Sequence, residues 1–156
     1  MRIGTVSAVV LALMWSSSVA TAQNIPADGL TINDVASWLQ TRGYPAEIGT
    51  DNGTARVRTK SGNITFNIML FDCKGDHCGS MQFYAGFATH GHFDISRING
   101  WNRDERWARG YYDKDNDPYV EMDVDLTPGG TYELLNDELA TWKTVLGKFV
   151  TTFGLQ

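Results

Sequence analysis

Apolar and polar residues recur along this chain with two different periods. Between Thr31 and Arg42, Ile32, Val35, Trp38 and Leu39 return at three- and four-residue steps, which predicts an amphipathic helix. Thr31 can cap its start, with Asp34 three residues later in the capping-box position. Gly43 supplies a stop and Pro45 prevents continuation. From Ala46 the period becomes two. Ala46–Thr50 reads as an extended lead-in, and Asp51-Asn52-Gly53 as a turn. In Thr54–Lys60, Ala55, Val57 and Thr59 point one way, and Arg56, Arg58 and Lys60 the other. Past Ser61-Gly62-Asn63, Ile64–Phe71 gathers Ile64, Phe66, Ile68 and Leu70 on one side. Met81–Phe87 does the same with Met81, Phe83, Ala85 and Phe87. Three strands in this order predict an antiparallel meander.

The helical period then returns. Asp94–Arg103 reads as a short helix capped by Asp94, with Ile95, Ile98 and Trp101 inward. Trp107–Lys114 and Pro118–Leu126 form a hairpin around Asp115-Asn116-Asp117. Its second strand turns Val120, Met122, Val124 and Leu126 inward, and Glu121, Asp123 and Asp125 outward. Beyond Pro128-Gly129-Gly130, Thr131–Phe153 carries Leu135, Leu139, Trp142, Leu146, Phe149 and Phe153 as one helical stripe. Leu134, Val145 and Val150 widen it, and either the first helix or a second copy could cover that extra line. The order is helix, three-stranded meander, helix, β-hairpin, helix. Runs of strands between separated helices predict an α+β fold with an antiparallel twisted sheet packed against helices.

The first residues carry a different message. Arg2, the apolar run Val6–Trp15 and Ala20-Thr21-Ala22 match the three regions of a secretory signal peptide, with cleavage after Ala22. The run falls short of a membrane span. The expected division is a signal peptide over 1–22, a short flexible leader over 23–29 and one domain over 30–156. The mature chain is expected in the periplasm or outside the cell, without a membrane span.

Composition narrows the class. The chain has 156 residues, 42% of them hydrophobic and 12% aromatic, which excludes a disordered chain. A formal charge of −5 argues against a general nucleic-acid binder.

The order of elements and certain residues resemble the YbjN-domain family, described as bacterial sensory transduction regulators. The resemblance rests on Val35-x-x-Trp38-Leu39 with Gly43-Tyr44, on Cys73-x4-Cys78 before Ser80-Met81-Gln82-Phe83, and on Ile98-Asn99-Gly100-Trp101-Asn102. Glu121-Met122-Asp123-Val124-Asp125-Leu126 and Gly129-Gly130 complete it. It implies a fold like that of type III secretion chaperones, with no known catalytic mechanism and no cofactor.

Several clusters could carry chemistry. Cys73 and Cys78 bracket Lys74-Gly75-Asp76-His77. In an oxidising compartment two nearby cysteines normally form a structural disulfide; a redox pair, or half of a metal site with His77, are the other readings. His90-Gly91-His92 has the spacing of two imidazoles on one side of a strand, but two ligands are too few for a metal site. Asp113-x-Asp115-x-Asp117 opens like a calcium loop, then offers Pro118 and Val124 where glycine and glutamate belong. No metal site is assigned. The basic row on Thr54–Lys60 and the acidic row on Pro118–Leu126 either pair across the sheet or form a charged outer face.

Asn99, Trp101, Asn102, Trp107, Tyr111 and Tyr112 combine aromatic anchors with amides, as a partner groove would. No nucleophile motif or phosphate loop stands in a convincing setting. The expectation is a non-enzymatic exported accessory protein, monomeric or homodimeric, that binds a protein or peptide through the sheet and the Asn99–Tyr112 region. The alternative is a sensor module that responds to a small ligand or a metal.

Overall fold

The computed structural model describes residues 23–89 and 93–155. The expected signal peptide, Met1–Ala22, lies outside the described residues, as do His90 and His92.

Among the described residues three helices and six strands form one α+β layer pair. Helix α1 (Ile32–Thr41) begins as its sequence dictates. The Thr31 hydroxyl accepts from the Asp34 amide at 3.2 Å, and the Asp34 carboxylate accepts from the Thr31 amide at 2.9 Å. Two of the four amides that a helix start leaves unpaired are thereby satisfied.

Strands β1 (Glu47–Asp51) and β2 (Thr54–Ser61) pair from Glu47↔Arg58 to Asp51↔Thr54. The lead-in is therefore a fourth strand of the meander. Asn52 and Gly53, at φ 48° and 84°, make the two-residue turn that a hairpin requires, and Asn-Gly accepts that backbone readily. Strands β3 (Ile64–Lys74) and β4 (His77–Gly86) follow, joined at their tip by a Cys73–Cys78 disulfide across paired positions.

Helix α2 (Ile95–Asp104) leads to β5 (Arg109–Tyr112), β6 (Pro118–Asp125) and α3 (Tyr132–Phe153). The sheet order is β1-β2-β3-β4-β6-β5, and every neighbouring pair is antiparallel. Strand β6 thus inserts between β4 and β5.

The inward residues of β2, β3, β4 and β6 all face one side, where the helices lie. Trp142 of α3 sits at the centre with 0% exposure, stacked on Phe83 at 5.6 Å and edge-on to Phe66 at 5.8 Å. The Trp38 indole donates to Asn136 at 3.0 Å, so α1 lies beside α3. Val145 on the widened stripe is buried, while Leu134 remains 46% exposed.

Helix α2 approaches the sheet over Gly110. A Cβ there would lie 2.6 Å from Ile98 and 3.1 Å from Trp101, so only glycine admits both side chains. Ile98 and Trp101 are buried as expected. Ile95 is not: it is 63% exposed, because the helix meets the sheet one turn later.

Two further expectations change. Residues 23–29 do not behave as a loose leader. Ile25 is buried and its amide donates to Gly130 at 2.8 Å; Gln23 accepts from Tyr132 at 2.9 Å; Leu30 exchanges two bonds with Cys78. The last hairpin is shorter than its pattern predicts, because Trp107 stands at φ 79°, which breaks extension before Arg109.

Candidate functional site

The same alternation that fills the core also builds the opposite face of the sheet. Among the described residues no helix covers that face. Its β4-β6-β5 end is aromatic. Tyr119 of β6 is stacked between Tyr111 of β5, at 5.3 Å and 12°, and Tyr84 of β4, at 5.5 Å and 24°. Offset ring pairs of this kind are favourable beyond the area they bury.

Gly86 makes the arrangement possible. It is the cross-strand partner of Tyr119, and a Cβ on it would come within 2.1 Å of the Tyr119 ring. The ring occupies the space that any other side chain would fill.

Beneath the tyrosines lies a carboxylate. Glu121 pairs with Tyr84 on one side and Arg109 on the other, and it is only 6% exposed. The Arg109 guanidinium donates to it, which keeps the buried charge partnered. Burial, then the neighbouring tyrosines, push the Tyr84 phenol well above its ordinary range. Burial, then the Glu121 charge, push Tyr111 up to about 12. Both hydroxyls therefore remain neutral donors at physiological pH.

Charged rows run along the same face. Arg56, Arg58 and Lys60 line β2, and Asp123 and Asp125 line β6, with β3 and β4 between them. That separation is about three strand spacings, roughly 14 Å, so the rows do not pair within the molecule. They form two halves of one outer face. Each half is tied to its neutral neighbour: Arg56 donates to Asn67 at 3.1 Å, and Gln82 donates to Asp123 at 2.7 Å.

The six residues expected to form a groove are divided by the fold. Trp101 is core, edge-on to Phe149 at 5.0 Å. Asn102 clamps α2 to β5, donating to the Gly110 carbonyl at 3.0 Å and accepting from its amide at 2.8 Å. Tyr112 stacks on Phe93 at 5.8 Å on the helix side. Asn99 is exposed on α2. Trp107 is 62% exposed, with the Arg106 guanidinium 4.5 Å from its ring. Only Tyr111 stands on the open face. Tyr84, Tyr119 and Glu121 are the residues that reading along the chain did not bring together with it. Tyr119 shares the parity of Glu121 and Asp123, which was the available signal; Tyr84 needed the β4–β6 pairing.

Other candidates offer less. A cleft of about 630 Å³ opens between the β2–β3 turn and the end of α3, and Phe87, Thr89, Phe93 and Leu155 line it without a charged group. Among the described residues no three His, Cys, Asp or Glu side chains gather as for a metal ion. Asp113 instead accepts from the amides of Asp115 and Asp117 at 2.9 Å each, as a turn residue does. Among the described residues no helix is long and apolar enough to cross a membrane.

The YbjN family model, described as "Putative bacterial sensory transduction regulator", matches residues 31–155, from the cap of α1 to just past the end of α3. No curated protein and no solved structure matches the chain.

Proposed function

The chain belongs to the YbjN family, and on that premise we propose that it is a non-catalytic regulatory protein whose open sheet face docks a protein or peptide partner. One observation carries this reading. A six-stranded sheet is covered by helices on one side and on the other presents stacked tyrosines over its β4-β6-β5 end, with acidic residues along β6 and basic residues along β2. Phenol rings held by their neighbours offer rigid, amphipathic contact area at small entropic cost. Aromatic side chains beside charged ones are enriched in recognition surfaces.

We further propose an exported location. The signal-peptide pattern of residues 1–22 supports it, and so does the Cys73–Cys78 disulfide, a bond that persists in oxidising compartments.

A photo-crosslinking residue tests the docking reading. Placed at Gln82 on the open face, in the native cells, it should give a defined protein adduct. Placed at Glu133 on α3, it should not. Equal labelling from both faces, or none from Gln82, would remove the proposal.

A further inference from the structure

We infer that the occupant of the open face is a second copy of this chain, packed face to face about a twofold axis that runs along the strands between β3 and β4. The inference rests on the docking reading above and names its partner. It comes from the strand register.

One row of directly paired residues crosses the whole face: Glu47, Arg58, Asn67, Tyr84, Glu121, Arg109. Its charges read minus, plus, neutral, neutral, minus, plus. Reversed, the row is its own sign inverse. The next row, Gly49, Arg56, Met69, Gln82, Asp123, has the same property.

A twofold rotation about an axis parallel to the strands reverses each row and lays it on the original. Arg56 then faces Asp123 of the second copy and Glu47 faces its Arg109, while Arg58 lies over the buried Glu121 that Arg109 already partners. The neutral pair at the midline meets itself, bringing Met69, Gln82 and Tyr84 together. The Arg56–Asp123 and Glu47–Arg109 contacts each occur twice, as a closed isologous contact requires.

The other in-plane axis, across the strands, would lay β2 on β2 and set arginine against arginine, which costs affinity. A partner of one predominant sign fares no better, because one flank of the face repels whatever the other attracts. A second copy satisfies Arg56 on one flank and Asp123 on the other at once, with Lys60 and Asp125 on the outlying rows opposite neutral residues. Two such faces would form a sandwich of aligned sheets about 10 Å apart.

Charge reversal provides the test. Sedimentation velocity is run on the protein purified from its native cells and on R56E, D123R and R56E/D123R variants, with melting followed by circular dichroism. The wild type should be a dimer. Each single reversal should lose the dimer while keeping the melting transition. The double reversal should regain it, because each new glutamate then meets a new arginine on the other copy. Arg56 also bonds Asn67, so D123R, at an exposed side chain, gives the readout if R56E fails to fold. A monomeric wild type, or a dimer indifferent to D123R, overturns the inference. A wild-type monomer that still gives a Gln82 adduct to a different protein rejects the second copy and leaves the docking reading. Absence of any face-specific adduct rejects both.

Discussion

A tyrosine in water loses its proton near pH 10. Tyr84 and Tyr111 hold theirs longer, because ionising them would place charge in a half-buried stack, for Tyr84 among neighbouring tyrosines and for Tyr111 beside Glu121. The sign for stability follows from that direction. The folded state keeps these phenols protonated where the unfolded chain ionises them, so their contribution is intact below about pH 10. It is lost as the pH rises through the folded values, for Tyr111 about 12. Ultraviolet titration should show a late phase above the ordinary tyrosine phase. The Tyr111→Phe variant should take amplitude from the late phase alone; loss from the ordinary phase would contradict the stacked geometry. Glu121 teaches the same lesson about single residues. By alternation it belongs with Asp123 and Asp125, yet only its neighbours Tyr84 and Arg109 make it a buried, paired carboxylate.

Helix α3 shows what an element contributes when its pattern is strong. Its stripe is buried throughout, and Trp142 reaches deepest, between Phe66 and Phe83. Trp142→Ala should destabilise the fold by about 3–5 kcal/mol, the usual cost of emptying a large aromatic site. Chemical denaturation measures this directly. A variant that kept its stability but changed its oligomeric state would place Trp142 in an interface between copies instead. The extra line on α3 resolves residue by residue: Val145 is buried, and Leu134 is left exposed. Helix α1 is equally well specified, because its cap, its box partner and its stop all lie within the segment itself.

At the scale of the molecule, order should grade across the sheet. Strands β3 and β4 have partners on both sides and the Phe66, Phe83 and Trp142 cluster against them. Strand β1 pairs only with β2, and its Ile48 is 47% exposed. Local opening follows such differences in burial. Hydrogen exchange should be slowest at Phe66, Ile68, Met81 and Phe83 and fastest along Glu47–Asp51. Equal protection in β1 and β4 would contradict this gradient.

Periodicity is local, and what it determines is local too. Caps, stops and stripes lie within a few residues of each other, so the three helices, the inward residues of the strands and the α+β class were all readable along the chain. The two-residue Asn52-Gly53 turn was readable as a turn, but whether Ala46–Thr50 paired across it depended on a neighbour. Alternation says which residues of one strand share a side; it does not say which strands adjoin. That β6 enters between β4 and β5, that Tyr84, Tyr119 and Tyr111 meet, and that the basic and acidic rows stand apart on one face were decided by tertiary pairing alone. The physical reason is that strand order and register are fixed by contacts between distant segments competing for the same core, and no window of sequence contains both partners.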